Sequence, residues 1–356
     1  MSTLDPGATV LVTGGNGFIA AHVITTLLRH DYNVRATVRS MEKAEIVRKS
    51  FVAAGVQNME QLKFVVATDE DLTVDFYTSL MAGCQAVLHL ASSFSYEAKP
   101  GQFEEKLMAP AVKMTDVICR AASNAQSVRR VVVMSSFASV YDASLGLQPG
   151  RVYTEKDWCP LSYEDGVNAE AAPIAYRASK VAAERAAWDF VREKRPHYEL
   201  VTLCPGMVFG KMIHGINSLS DLNASNQIVW SVLKAGSDGE VPPTKAPVWV
   251  DVEDLAEATL RAATYENAGN RRFLVTHGSY DTQEIADIVR AALPEKSRAP
   301  LGEPGKRFAH EHYSCDSSTA QDVLGMMFKS LRESIVPLAE QLYEMEKKEK
   351  ESERKT

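Results

Sequence analysis

The sequence predicts an α/β protein built on a doubly wound parallel sheet. Short β-branched runs alternate with longer segments of helical periodicity, and a glycine-rich turn joins the first run directly to the first helical segment. Residues 131–134 form a continuous apolar run, as strands buried on both faces do. Strands and helices that alternate at these lengths pack as a parallel sheet covered by helices on both sides.

The predicted elements follow one another along the chain. Strands are expected at 10–13, 34–39, 62–66, 86–90, 131–134, 200–203, 248–250 and 273–276. Helices are expected at 18–28, 41–54, 74–81, 110–122, 173–194, 225–233, 254–264, 282–292 and 319–324. Residues 141–172 are rich in Gly, Pro, Asp and aromatic side chains and predict a long irregular insertion.

This order divides the chain into two domains and a tail. We expect the sheet domain at 1–205 and a smaller domain mainly at 206–340, with some segments returning to the sheet. Residues 341–356 are charged at most positions and predict a frayed helix end and a solvated tail.

The bulk composition disfavours several classes of protein. Among 356 residues 45% are hydrophobic and 24% charged, as in ordinary globular proteins, and the net charge of −7 argues against binding nucleic acid. The five cysteines are scattered without a CxxC pair, so we expect neither disulfides nor zinc, and a reducing, cytoplasmic setting. No apolar run approaches the roughly 18 residues of a membrane span, and the first residues lack the pattern of a secretory signal. We expect a monomer or a homodimer.

The turn after the first strand has the features of a diphosphate-binding loop. Gly14 allows a sharp exit from the strand, and Gly17 lets the backbone approach a phosphate without a Cβ atom in the way. Ala20 is small enough for helix and strand to pack closely. Free N–H groups at the helix start would then face the diphosphate of a dinucleotide. The candidate contacts are Thr13, Gly14, Asn16, Gly17, Phe18 and Ile19.

The end of the second strand indicates which dinucleotide binds. NAD-specific sites place an acidic residue there, about 20 residues beyond the glycines, to bind the ribose 2′-hydroxyl. This chain has Arg39 instead, followed by Ser40 and, one turn along, Lys43. A guanidinium stacks on adenine and binds a 2′-phosphate through two hydrogen bonds, so NADPH is the predicted cofactor. The alternative is two solvated basic residues that open a helix.

A tyrosine and a lysine on the helix at 173–194 are the candidate chemical groups. Tyr176 and Lys180 lie one turn apart and share a face. The helix start and the ammonium group both favour a phenolate, so we expect the pKa of Tyr176 to be lowered from about 10 toward neutrality. Ser136 follows the buried strand at 131–134, at the edge of the sheet where ligands bind. For the Tyr–Lys pair alone, the alternative is a solvated helix face.

At this point the chain resembles the extended short-chain dehydrogenases/reductases. More narrowly, it is similar to the dihydroflavonol 4-reductase group, including its fungal carbonyl and methylglyoxal reductases. The resemblance covers about residues 8–340 and implies a Rossmann-type fold and NADPH-dependent reduction of a ketone or aldehyde, with reverse alcohol oxidation possible. Its motifs are TGGNGFIA at 13–20, TVRS at 37–40, HLAS at 89–92, SS at 135–136, EKDW at 155–158, YRASK at 176–180, PGMVFG at 205–210 and VDVED at 250–254.

The resemblance also implies residue roles. Tyr176 would donate the proton and Lys180 would hold the nicotinamide ribose hydroxyls. Ser136, with Ser135 as the alternative, would hydrogen-bond the substrate carbonyl. Further implied cofactor contacts are Asp69 at the adenine amino group (Glu70 or Asp71 if the register slips), Ala91, Ser92, Pro205 and Val208. Many short-chain enzymes carry a relay asparagine on the long helix, but residues 114–117 offer none, so a water or a backbone carbonyl would serve.

Weaker candidates have simple packing or solvation as the alternative. We expect His310 and His312 to be solvated loop histidines and His89 to be a core histidine, and no metal site is predicted. Five residues in segments that follow strand ends could line a substrate pocket, but each alone is more often simple packing: Phe94, Met207, Phe209, His214 and Trp230.

Other functions remain as alternatives on the same fold. A hydroxysteroid dehydrogenase is one, and a sugar-nucleotide-modifying enzyme is another, although residues 206–250 show no basic cluster for a nucleotide diphosphate. A non-catalytic protein that senses NADPH is a third, and such proteins commonly lose the Tyr–Lys pair that this chain retains.

Overall fold

The computed structural model describes residues 2–92, 98–308 and 311–354. Its strands are β1 (Thr9–Thr13), β2 (Asn33–Val38), β3 (Leu62–Val66), β4 (Cys84–His89), β5 (Arg130–Met134), β6 (Val152–Tyr153), β7 (Glu199–Pro205), β8 (Met207–Phe209), β9 (Val248–Asp251), β10 (Arg271–Val275), β11 (Gly278–Ser279) and β12 (Ser314–Cys315). Its α-helices are α1 (Phe18–Arg29), α2 (Met41–Ala53), α3 (Val74–Met81), α4 (Ala109–Asn124), α5 (Tyr163–Val167), α6 (Ala172–Lys194), α7 (Ala224–Lys234), α8 (Val252–Thr264), α9 (Thr282–Ala292), α10 (Ser318–Leu324) and α11 (Leu331–Glu353).

The main sheet has seven parallel strands in the order β10-β7-β5-β4-β1-β2-β3. The chain runs outward from β1 toward β3 and then returns to the other side of β1 with β4. This reversal leaves a crevice between the carboxyl ends of β1 and β4, where ligands bind in doubly wound folds. The predicted Rossmann-type fold is confirmed.

Helices cover both faces of this sheet, and the first strand shows why. Val10 and Val12 are fully buried in the core beneath α1, α2 and α8, whereas Leu11 is fully buried in the opposite core beneath α3, α4 and α6. Successive strand side chains point to opposite faces, so a strand covered on both sides must be apolar at every position.

The C-terminal part of the chain adds a second sheet and also returns to the first. Strands β8 and β9 pair in parallel, with β11 antiparallel beside β9, while β10 joins the edge of the main sheet. Phe209 is fully buried, with its ring centroid 4.9 Å from that of Tyr280 and 6.1 Å from that of Trp249. Of the two interpretations of Phe209, a pocket residue or simple packing, the structure shows packing, because its ring belongs to the core.

Three other expectations need correction. The insertion at 141–172 contains α5 and also β6, which pairs with β12. The charged end of the chain is helical through Glu353, and Gln341 accepts from the N–H of Met212 and donates to its carbonyl, both at 2.8 Å. His312 is buried and hydrogen-bonds through Nδ1 to the Tyr313 carbonyl, so it is not a solvated loop residue. His310 lies outside the described residues, as does Phe94.

Within the described parts of the chain, no helix combines the length and the apolar character that crossing a membrane demands.

Candidate functional site

The glycine-rich turn is fixed by its own backbone. Gly14 has φ +71°, and a Cβ atom there would come within 3.0 Å of the Ala91 Cα atom. The N–H groups of Gly14 and Gly15 donate to the side-chain and backbone oxygens of Thr37, at 3.2 and 2.7 Å. The Gly17 N–H donates to the Gly14 carbonyl at 2.9 Å. These bonds hold the turn against β2 in one conformation, and the close approach of Ala91 leaves no room for a side chain at Gly14.

The turn delivers the chain to a helix start that lacks a side-chain cap. Gly17 precedes α1, and no side chain of the described residues hydrogen-bonds to this end. The first N–H groups, including those of Phe18 and Ile19, have no carbonyl partner one turn earlier in the helix. They are therefore available to an anion that binds at the N-terminus of α1, where the helix dipole also favours negative charge.

Thr13 joins the carboxyl ends of β1 and β4. Its Oγ1 accepts hydrogen bonds from the N–H groups of Leu90 (3.1 Å) and Ala91 (3.0 Å) and lies 2.9 Å from His89 Nδ1. Because the oxygen accepts twice, its own proton is donated to Nδ1. Burial and the nearby Lys180 lower the pKa of His89 to about 3, so the imidazole is neutral. The prediction that His89 is a core histidine is confirmed. Thr13 holds the ends of β1 and β4 together at the crevice.

The polar residues predicted to bind the adenosine half of the cofactor lie on the rim of the crevice, which we call its adenosine end. Arg39 follows β2 and Lys43 is in the first turn of α2, and both are exposed. Asp69 is also exposed, beyond the end of β3. Of the two alternatives to it, Asp71 is occupied, because its carboxylate accepts from the N–H and the hydroxyl of Thr68, both at 2.8 Å.

Ser136 and Tyr176 come together although 40 positions separate them in the sequence. Ser136 begins a short helical turn after β5, and its Oγ accepts from the Ala138 N–H at 3.1 Å. The Tyr176 side chain, in the first turns of α6, hydrogen-bonds with that of Ser136. Burial raises the pKa of Tyr176 above its usual value, and this hydrogen bond opposes the rise only in part. The expected acidified phenol is therefore not found, and Tyr176 is protonated at neutral pH.

Lys180 reaches from α6 to the loop after β4. Its Nζ donates to Ser92 Oγ at 3.0 Å and lies 5.8 Å from the centroid of the Tyr176 ring. Burial lowers the pKa of Lys180 to about 8, against the opposing influence of the Glu184 carboxylate. The ammonium is thus charged at neutral pH but loses its proton in mildly alkaline solution.

The two adjacent serines face different surroundings. Ser135 is buried and donates to Glu184 Oε2 at 2.6 Å, while Ser136 is half-buried beside Tyr176. Of the two hydroxyls, only that of Ser136 faces the Tyr176 phenol among the described residues.

The residues predicted near the end of β7 as cofactor or pocket contacts are mostly buried or bonded to other parts of the protein. Pro205 ends β7 and is buried, and the Val208 N–H donates to Ser225 Oγ at 3.2 Å. Met207 and Trp230 are half-buried and pack against the core.

His214 lies near the helix that follows the glycine turn. Its ring centroid is 5.8 Å from that of Phe18, and burial lowers its pKa to about 4. A neutral imidazole therefore covers the first residue of α1.

Sequence reasoning missed two residues that the structure places beside the site. Glu184 is a carboxylate on the buried stripe of α6 formed with Val181 and Ala187, and a charge at such a position was a detectable signal. Gly15 packs so closely that a Cβ atom there would lie 2.8 Å from the Ala36 Cβ atom. Sequence reasoning singled out Ala20 for close packing, but the sequence gave no sign that Gly15 also lies in close contact with its neighbours.

Known proteins resemble this chain in sequence and in fold. The model of the NAD dependent epimerase/dehydratase family matches residues 10–275. An oxidoreductase of Schizosaccharomyces pombe is 36% identical over 340 residues, 95% of this chain and 98% of the relative. The NADPH-dependent methylglyoxal reductase GRE2 of Saccharomyces cerevisiae is 31% identical over 345 residues, 95% of this chain and 98% of the relative. The crystal structure of yeast Gre2 with NADPH superposes with a TM-score of 0.84 at 30% identity and covers 95% of this chain and 99% of the other.

The family match spans most of the sheet and the whole candidate site, and these relatives align over nearly their full lengths. The chain therefore belongs to the NAD dependent epimerase/dehydratase family, in its extended short-chain dehydrogenase/reductase branch.

Proposed function

We propose that this chain is an NADPH-dependent carbonyl reductase that converts a ketone or aldehyde to an alcohol with Tyr176 as the proton donor. The observation that carries the proposal is the meeting of Ser136, Tyr176 and Lys180 at the carboxyl edge of the sheet. Lys180 hydrogen-bonds there to Ser92, the residue directly after Ala91, whose N–H donates to Thr13. Relatives named as NADPH-dependent reductases support the cofactor and the reaction type.

The choice of NADPH is supported by the adenosine end. The glycine turn presents the uncapped start of α1 to the diphosphate. Arg39 stands where an NAD enzyme has an acid, and its exposed guanidinium is free to bind a 2′-phosphate through two hydrogen bonds. Lys43 adds a second positive charge one turn into α2.

The reduction needs a hydride, which bound NADPH supplies. The protein supplies a proton and a place for the developing oxyanion. The substrate oxygen would lie between the Tyr176 phenol and the Ser136 hydroxyl; Tyr176 protonates it and Ser136 donates a hydrogen bond. The Lys180 ammonium stabilises the phenolate left behind and, by resemblance, binds the nicotinamide ribose. The raised pKa of Tyr176 keeps the phenol protonated at neutral pH, which is the form that reduction requires.

A spectrophotometric screen of NADPH consumption tests the proposal. Methylglyoxal, for which the yeast relative is named, is the first substrate, followed by diketones, aromatic ketones, aldehydes and flavanonols. We expect turnover with at least one class and its near-complete loss in Tyr176→Phe, with NADPH binding retained. Turnover that survives in Tyr176→Phe would overturn the assigned role, and NADPH binding without any turnover would favour a sensing protein.

We also propose that the protein functions in a reducing compartment of the cell. The five cysteines are free thiols, four of them buried, which suits a reducing compartment such as the cytoplasm.

A further inference from the structure

The helix that carries Tyr176 and Lys180 also carries a carboxylate inside the protein. Glu184 lies one turn beyond Lys180, and its side chain is fully buried. Both side chains line a cavity of about 20 Å³, which is enough for one water molecule. The proposed reaction assigns no role to Glu184, so its place beside the lysine needs an explanation.

The carboxylate of Glu184 is held at both oxygens. Oε1 accepts from Arg272 Nε and from Thr202 Oγ1, each at 2.7 Å. Oε2 accepts from the hydroxyls of Ser135 and Ser139, each at 2.6 Å. Burial alone would raise the pKa of Glu184, but Arg272 and these hydroxyls outweigh it and hold the pKa below its usual value. A negative charge is therefore fixed in position inside the protein.

The EKDW motif holds the arginine of this pair. Arg272 donates to the carbonyl oxygens of Glu155, at 2.8 Å, and Asp157. Its guanidinium carbon lies 3.8 Å from the centroid of the Trp158 ring, in cation–π geometry. The proposed function gave this motif no role, and the structure shows that it positions Arg272.

We propose that Glu184 is a positioning residue for the reaction: its fixed carboxylate keeps the Lys180 ammonium charged and in place, and the segment 155–158 supports it through Arg272. The inference rests on the proposed role of Lys180. The site then includes a series of contacts that runs from the segment 155–158 through Arg272 and Glu184 to Lys180.

The other titratable groups around the ammonium do not supply this charge. On β4, His89 is neutral with a pKa of about 3, and on β7 burial raises the pKa of the Cys204 thiol to about 12. Tyr176, on the same helix, is protonated, and α4 contributes the uncharged Met114 and Thr115 to the cavity.

On β10, Arg272 is a cation that pairs with the same carboxylate, so it adds no further negative charge near Lys180. Among the described neighbours, Glu184 is thus the anion that offsets the cost of burying Lys180. Without it, burial would bring the pKa of Lys180 below about 8 and closer to neutrality.

The test is a direct titration of Lys180. The ¹³Cε resonance of lysine, in protein labelled at that carbon, reports its protonation and is assigned by its absence in Lys180→Arg. In Glu184→Gln we expect the pKa of Lys180 to fall by about one unit, with the same shift in the alkaline limb of kcat/KM. The matched control is Glu199→Gln, which breaks another Arg–Glu pair of the sheet, Arg130–Glu199 at 2.7 Å, and should leave Lys180 unchanged.

A second variant keeps the test valid if Glu184→Gln fails to fold. Glu184→Gln leaves Arg272 buried without its counter-charge, whereas Glu184→Gln/Arg272→Met removes both charges and should fold more readily. Its Lys180 pKa should also fall, and Glu184→Asp should restore part of the loss. An unchanged Lys180 pKa in a folded variant overturns the inference. Because the titration needs no turnover, it remains decisive even if the reductase assignment fails.

Discussion

The two ends of the proposed cleft hold charge in different ways. At the adenosine end, Arg39 and Lys43 are exposed on a rim beside a turn fixed by backbone hydrogen bonds. At the nicotinamide end, Lys180 is half-buried and Glu184 fully buried, and each has hydrogen-bond partners. Exposed charges act nearly independently, whereas removing one buried group leaves its partners uncompensated. We therefore expect large, coupled effects at the second end and moderate effects at the first.

The largest effect is expected for Tyr176→Phe. The substitution removes the phenol that donates the proton but keeps the ring, so kcat should fall by about 10²–10⁴-fold, the usual contribution of a general acid. Stopped-flow and steady-state rates with NADPH would measure it. The dissociation constant of NADPH serves as the control and should change little. A loss of less than tenfold would contradict the difference between the two ends.

A smaller but still large effect is expected for Ser136→Ala. Loss of a hydrogen bond to a developing oxyanion typically costs about 10²–10³ in kcat. Its neighbour provides the matched variant, because Ser135 donates to Glu184 rather than facing Tyr176. Ser135→Ala should lower the free energy of unfolding by about 1–3 kcal/mol while reducing kcat less than Ser136→Ala does. The opposite ranking in kcat would assign the substrate contact to Ser135.

At the adenosine end, Arg39→Asp should change cofactor preference rather than turnover. A hydrogen bond to a charged group contributes about 1.5–3 kcal/mol, so KM for NADPH should rise roughly 10–100-fold while NADH becomes a better cofactor. Lys49→Asp, a charge reversal at an exposed position further along α2, is the control and should alter KM far less. Unchanged NADPH affinity in Arg39→Asp would refute the cofactor argument.

The same contrast explains which features could be predicted from sequence. The glycine turn and Arg39 act through local backbone geometry and position after a strand, and such features are legible in a short stretch of residues. Parallel topology also predicted that Ser136 and Tyr176 would meet, because the carboxyl ends of strands share one edge.

What could not be predicted depends on contacts between distant segments. Arg272 binds Glu184, 88 positions earlier, and only the fold brings them together. Phe209 looked like a pocket residue because it follows a strand, but Tyr280 and Trp249 enclose its ring. The pKa of Tyr176 was expected to fall because the helix start and Lys180 were visible in the sequence, whereas the burial that raises it was not.

The pKa of Tyr176 is raised although we expected it to be lowered, and this difference changes the expected pH dependence of the reaction. This effect is the smallest of those predicted here. Because the pKa of Tyr176 lies above its usual value, the phenol keeps its proton throughout the neutral range, and reduction should not decline near pH 7. Instead, kcat/KM for NADPH should fall above about pH 8, where the free enzyme loses the Lys180 ammonium, by about tenfold per pH unit. In the activity that remains in Lys180→Arg, this alkaline limb should be absent, because a guanidinium stays charged. Alcohol oxidation requires the phenolate and should rise with pH up to about pH 8, above which it too loses the Lys180 ammonium. A limb near pH 7 that persists in Lys180→Arg would show that an acidified Tyr176, rather than Lys180, sets the pH dependence at this end of the cleft.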